Sequence, residues 1–81
     1  MANATQTRDF RIRLKAARLA AGFTPADLAD ELAACGKDIT VDDIVAWENG
    51  KDAPKAWEDH VVVAAEILLG ADGQLTEALG W

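Results

Sequence analysis

The sequence is poor in the residues that build metal sites, disulfides and many active sites. It contains one cysteine, Cys35, and one histidine, His60, so an internal disulfide is impossible and a Cys/His metal cluster lacks its ligands. We expect Cys35 to be buried or half-buried and His60 to lie at the surface. The chain also lacks a recognisable nucleophile–base pair and a phosphate-binding loop. These absences argue against an enzyme, and we expect no cofactor and no small-molecule substrate.

Long apolar runs are missing as well. The longest, residues 61–65, is far shorter than the roughly 20 apolar residues that a membrane-spanning helix needs. Residues 1–7 are polar and lack the apolar core of a secretory signal. We therefore expect a soluble, cytoplasmic protein with no membrane partner.

Charge is distributed unevenly along the chain. The net charge is −6, yet the first 23 residues carry five basic side chains against one acidic, and the rest carries three lysines against thirteen acids. Arg8, Arg11, Lys15 and Arg18 recur at helical spacing and form what we call the basic stripe. Three interpretations fit this stripe: a solvated face paired with the acidic remainder of the chain, a contact with phosphates, or a contact with an acidic protein.

Glycines and capping residues divide the chain into five helical segments, and 81 residues suit one domain. We expect a flexible N-terminus over residues 1–7 and a single all-α domain over residues 8–81. Thr24 with Asp27, and Thr40 with Asp43, have the spacing of capping boxes at the second and third helices. The predicted helices cover about residues 7–21, 25–35, 41–48, 54–69 and 73–79.

Proline and aspartate mark the starts of the last two segments. The fourth is expected to begin at Pro54, with Asp52 or Ala53 as its cap, and Asp72 is expected to cap the fifth. Helical spacing places five apolar residues on the buried face of the fourth segment. They are Trp57, Val61, Ala64, Ala65 and Leu68.

Two short helices joined by a glycine-containing turn are the helix-turn-helix arrangement. Several parts of the sequence follow this arrangement: residues 18–24 (RLAAGFT), Leu28 and Ala29, Ile44, residues 47–51 (WENGK) and, further on, Leu68. Together, and above all through residues 47–51, they resemble the Cro/C1-type (XRE) helix-turn-helix family. The resemblance covers roughly residues 8–70. It implies a five-helix, lambda-repressor-like fold with motif helices at about residues 25–35 and 41–48. It also implies a DNA-binding transcriptional regulator that acts as a dimer, of the kind encoded by phages and mobile elements.

The resemblance assigns roles to individual positions. It pairs Arg18 with Glu48 in a partly buried ion pair between the first and third helices, and it puts Ile44 and Trp47 in the core. It places Thr24 and Thr40 near the backbone of double-stranded DNA, and it puts the base-reading positions at Val41, Asp42 and Ala46, with Thr40, Asp43 and Val45 beside them. Apart from the resemblance, Lys37, Lys51 and Lys55 are the cations near this surface, and Asn49 is a neutral donor to phosphate. The DNA-binding positions are therefore predicted to be Thr24, Thr40, Val41, Asp42, Val45, Ala46, Asn49, Lys51 and Lys55.

This chain departs from the family in two ways. The connection between the second and third helices is several residues longer than in the compact form of the motif. The base-reading positions carry no arginine, lysine, glutamine or asparagine, the usual readers of base edges. Asp42 and Asp43 also bring negative charge to a polyanion. A second hypothesis therefore stands beside the DNA-binding regulator: a protein-interaction module that kept the helix-turn-helix scaffold and lost duplex binding.

Several apolar residues near the C-terminus exceed what one buried stripe needs. Either the fifth helix covers them, or they form an interface with a second copy or another protein, where tryptophan is favoured. The candidate interface residues are Val62, Leu69, Leu79 and Trp81, with Val63 beside them.

Overall fold

Helices make up all the regular structure of residues 4–81, the part of the chain that this computed structural model describes. The helices are α1 (Ala4–Ala20), α2 (Pro25–Ala34), α3 (Val41–Glu48), α4 (Asp59–Leu69) and α5 (Gln74–Ala78), with a 3₁₀ turn (Ala56–Glu58) before α4. The all-α class is confirmed. Within the N-terminal segment expected to be flexible, residues 4–7 are helical and extend α1 beyond its predicted start. Residues 1–3 lie outside the described residues.

The core is formed where α1 packs against α3, α4 and α5, while α2 packs against α3 and α4. Phe10 of α1 meets Trp47 of α3 edge to face, with ring centroids 6.0 Å apart, a preferred aromatic geometry. Each fully buried large apolar side chain contributes about 1.5–3 kcal/mol relative to an exposed one. The largest fully buried side chains are Phe10, Leu14, Leu28, Leu32, Ile44, Val62 and Leu75.

Capping boxes fix the starts of α2 and α3, as the sequence predicts. The Thr24 hydroxyl accepts from the backbone N–H of Asp27, and the Asp27 carboxylate accepts from the N–H of Thr24. Thr40 and Asp43 repeat the arrangement at α3. Each box satisfies two backbone donors that a helix start leaves without partners, so both helices begin at defined residues.

The predicted start of the fourth helix at Pro54 is wrong, because a separate turn precedes it. The Lys55 N–H donates to the Glu58 carboxylate, and the Glu58 N–H donates to the Lys55 carbonyl, which closes a tight i to i+3 turn. α4 begins only at Asp59. Trp57 therefore leaves the helical register on which its predicted burial depended, and it is 72% exposed.

The start of α5 also differs from the prediction. Asp72 does not cap it; the N-cap is Gly73, which adopts a φ of 75°. The carboxylate of Glu66, reaching from α4, accepts from the backbone N–H groups of Gly73 and Thr76 at 3.2 and 2.5 Å. Glu66 is buried, and because it binds two helix-start donors its charge has the partners that burial requires.

Cys35 is exposed, so its predicted burial is wrong. It is the C-cap residue directly after α2, and it therefore no longer belongs to the apolar face of that helix. His60 is exposed, in agreement with the expectation.

Candidate functional site

A buried ion pair joins α1 to the end of α3. The Arg18 Nε–H donates to Glu48 Oε2, and Nη2 donates to Oε1, both at 2.7 Å. This is the pair that the family resemblance implies. The two side chains are 8% and 7% exposed, so the fork of the arginine and the carboxylate meet bidentately away from water.

The same arginine also secures the turn between α1 and α2. Its Nη1 donates to the carbonyl oxygen of Phe23 at 2.7 Å. The hydrogen bonds to Glu48 raise the pKa of the Arg18 guanidinium above its ordinary value, although burial acts in the opposite direction. Arg18 thus holds three segments together: α1, the turn before α2, and the last residue of α3.

The turn between α2 and α3 accommodates the longer connection seen in the sequence. Gly36 adopts a φ of 78°, and the Lys37 N–H donates to the carbonyl of Leu32 at 2.9 Å, which ends α2 in the manner of a glycine cap. Ile39 is buried in the core. The extra residues therefore form an anchored turn and leave the packing of α2 on α3 intact.

α3 buries Ile44 and Trp47 and exposes its opposite side. Val41 and Val45 are 39% and 38% exposed, one helical turn apart. Asp42 is exposed between them, and Ala46 is half-buried. The exposed face of α3, as we call Val41, Asp42 and Val45, is thus apolar and acidic, and it contains no cation.

The flanking candidates are not all on this face. Thr24 and Thr40 are exposed at the starts of α2 and α3, while Asn49 and Lys51 are exposed in the turn after α3. Lys55 lies elsewhere: its Nζ is 3.7 Å from an oxygen of Asp52 and 5.9 Å from the ring centroid of Trp57. Lys55 therefore lies beside Trp57 and away from the exposed face of α3, and its contact with DNA stays a prediction.

Two arginines of the basic stripe meet the turn after α3, an association that the sequence does not reveal. Arg8 and Arg11 line a depression of about 320 Å³ together with Asn49 and Gly50. A Cβ placed on Gly50 would lie 3.3 Å from Arg11 Nη1, so the arginine lies directly against this glycine. The sequence shows the helical spacing of the basic stripe. It does not show that the stripe lies against the turn after α3, since the two segments are about forty residues apart in the chain.

The candidate interface near the C-terminus is largely core. Val62, Leu69 and Leu79 are 1%, 8% and 2% exposed, so assigning them to an interface is wrong; α5 packs on α4 and contributes to covering them. Trp81 remains 43% exposed. It lines a cleft of about 530 Å³ with Trp57, which we call the tryptophan cleft.

Within residues 4–81, no group of three or more His, Cys, Asp or Glu side chains is arranged to hold a metal ion. None of the helices in the same residues is both long and apolar enough to cross a membrane.

Comparison with known protein families, curated proteins and solved structures found no match to this chain.

Proposed function

We propose that the chain is a small cytoplasmic DNA-binding transcriptional regulator of the Cro/C1 type, with a lambda-repressor-like fold. In this proposal α2 and α3 are the helix-turn-helix, and α3 enters the major groove. The observation that carries the proposal is the Arg18–Glu48 pair. It fixes one end of α3 against α1 while the opposite face of α3 is left exposed.

The side chains on the exposed face of α3 offer a limited chemistry for reading bases. The methyl groups of Val41 and Val45 suit contact with thymine methyls, and the Asp42 carboxylate can accept from cytosine N4. The backbone N–H groups at the start of a helix favour phosphate. Such a face makes few contacts that distinguish one base pair from another. We therefore expect modest sequence specificity for each half-site.

Affinity must come from cations outside α3, because Asp42 and Asp43 repel phosphates. Lys51 is exposed directly after α3, and Lys37 is half-buried in the turn before it. Each phosphate contact by such a cation steepens the salt dependence of binding by about 0.9 in the log–log slope. Binding is therefore expected to be weak for one subunit and steeply reduced by salt.

A second copy of the chain would double these contacts on a two-half-site operator. The tryptophan cleft supplies the apolar surface for such a dimer, because Trp57 and Trp81 are large and exposed and tryptophan is enriched at interfaces. Sedimentation equilibrium tests this part. A concentration-dependent dimer that Trp57→Ser weakens is expected, and a monomer at all concentrations would remove the dimer from the proposal.

The alternative is a protein-interaction module on the same scaffold. The specific observation in its favour is the absence of any cation on the exposed face of α3, combined with two half-exposed valines. An apolar and acidic helix face suits a basic protein surface better than a phosphate backbone.

Titration of a labelled random-sequence duplex with the protein, at low and at moderate salt, separates the two. The DNA-binding proposal predicts a clearly negative salt slope, at least tenfold weaker binding for Lys51→Glu, and tighter binding for Asp42→Ala. Asp72→Ala is the matched control, since it removes one exposed carboxylate far along the chain from α3. Flat titrations at low salt, including those of Asp42→Ala, would favour the protein-interaction module.

A further inference from the structure

Two cations beside the turn after α3 have no carboxylate partner among the residues that the structure describes. Among residues 4–81, neither Arg8 nor Arg11 lies within 4.0 Å of a carboxylate, whereas Arg13 and Arg18 both do. The Nε atom of Arg11 is covered from solvent and makes no hydrogen bond. The charge of these two arginines is therefore not neutralised by the part of the chain that the structure describes.

Local packing holds Arg11 in this position. The side chain lies against Gly50, where an added Cβ would meet its Nη1 and Cδ atoms at 3.3 and 3.4 Å. The carboxylate of Glu48, the last residue of α3, already accepts two hydrogen bonds from Arg18. The carbonyl end of α3 carries the negative pole of the helix and attracts the guanidinium, but it supplies no ion pair.

The surroundings of the two arginines suit an oxyanion. Arg8 is three residues before Arg11 on α1, so both project from one side of the helix into the same depression as Asn49. Guanidinium groups bind phosphate oxygens bidentately, and an asparagine amide is a common neutral donor to the DNA backbone. The depression is open and about 320 Å³ in volume, which leaves access for a phosphate that belongs to a longer polymer.

We propose that Arg8, Arg11 and Asn49 form a seat for one or two phosphodiester groups of a DNA duplex. The inference rests on the proposed function and adds to it: α1, in addition to the motif helices, supplies cations to the backbone. The positive charge of this seat lies beside the C-terminal end of α3. Its attraction for phosphate offsets the repulsion of phosphate by the acidic residues at the start of the same helix. The duplex would then be held at the turn after α3 while the exposed face of α3 lies in the groove.

The salt dependence of duplex binding counts the phosphate contacts. We expect Arg8→Gln and Arg11→Gln each to lower the magnitude of the log–log slope by about 0.9, which corresponds to about eightfold weaker binding at 0.1 M salt. Arg13→Gln is the matched control on the same helix. Its guanidinium donates to the carbonyl of Gln74 and faces Glu77 instead, so its slope is expected to equal that of the wild type.

Different failures have different meanings. If the wild type binds the duplex but Arg8→Gln and Arg11→Gln keep the slope of Arg13→Gln, the seat is refuted and the proposed function stands. If the wild type does not bind a duplex even at low salt, both are refuted. Arg8 is exposed and its replacement does not disturb the packing on Gly50, so this variant reports on the seat even if Arg11→Gln destabilises the fold.

A second arm distinguishes the polymer from a free anion. Inorganic phosphate is titrated into isotope-labelled protein while the amide signals of Asn49 and Gly50 are followed. The proposal predicts that duplex shifts these signals at concentrations far below those at which inorganic phosphate does. Equal or tighter binding of inorganic phosphate would contradict a duplex seat.

Discussion

Breaking the Arg18–Glu48 pair tests the packing on which the position of α3 depends. Arg18→Met leaves the Glu48 carboxylate, which is 7% exposed, without its charged partner, and it removes the donor to the Phe23 carbonyl. Loss of one partner from a buried pair costs about 3–5 kcal/mol. A domain of this length has a free energy of unfolding of roughly 4–12 kcal/mol at about 0.05–0.15 kcal/mol per residue, so the variant should lose at least about a quarter of its stability.

A double-mutant cycle separates the pair from the general effect of each substitution. Glu48→Leu alone should cost about as much as Arg18→Met, since it leaves a buried guanidinium unpaired. The double variant removes both charges and leaves mainly the Phe23 carbonyl without a partner, at about 1–3 kcal/mol. We therefore expect a coupling energy above about 2 kcal/mol, measured by urea denaturation followed by far-UV circular dichroism. Additive single effects of under about 1 kcal/mol each, the range of an exposed pair, would refute this account of the ion pair.

Three further predictions concern the caps and the turn after α3. Glu66→Ala leaves the N–H groups of Gly73 and Thr76 without their buried acceptor and should lower the free energy of unfolding by about 1–3 kcal/mol; an effect near zero in urea denaturation would contradict its role as the cap of α5. Gly50→Ala should lower the free energy of unfolding by more than the roughly 1–2 kcal/mol of an alanine in the left-handed conformation, because Arg11 must also move. Gly22→Ala is the control, since a Cβ there has no neighbour within 4 Å; equal losses for the two variants would contradict the contact between Gly50 and Arg11. The backbone N–H of Thr24 donates to the Asp27 carboxylate and lowers the pKa of that group below its ordinary value of 3.8, so the stabilisation is complete above that value and is lost as the pH falls below it. Asp27→Asn should therefore flatten the fall of melting temperature below about pH 4, and unchanged curves would contradict the capping box.

Local patterns predicted most of the helix starts and ends. The boxes at Thr24 and Thr40 involve residues three apart, so the sequence contains the whole interaction. The position of α4 could not be predicted in the same way. The Lys55–Glu58 turn and a helix start at Pro54 compete for the same segment, and the turn removes Trp57 from the helical register.

Long-range contacts were less accessible from the sequence. The cap of α5 comes from Glu66 on the preceding helix, whereas the sequence offered Asp72, which is adjacent but unused. For Val62 and Leu79 the sequence leaves two interpretations open, burial under the fifth helix or an interface, because it does not show how much apolar surface so short a helix can cover. Even the five-residue α5 packs well enough on α1 and α4 to bury them both.

In the candidate site, too, local features could be predicted from the sequence and long-range contacts could not. The exposed positions of α3 follow from helical spacing once Ile44 and Trp47 are assigned to the core. The contact between Arg11 and Gly50 depends on how α1 crosses the end of α3, and helical periodicity contains no information about that crossing. Lys55 is close to Lys51 along the chain, whereas its side chain pairs with Asp52 and lies beside Trp57.

Amide-resolved NMR of the labelled protein with a random-sequence duplex at low salt tests most directly whether α3 and its flanking turns bind DNA. We expect the largest shifts on Val41, Asp42 and Val45 and on the turn from Asn49 to Lys51, and we expect them to diminish as salt is added. An unchanged spectrum at low salt, or shifts confined to the tryptophan cleft, would contradict this expectation.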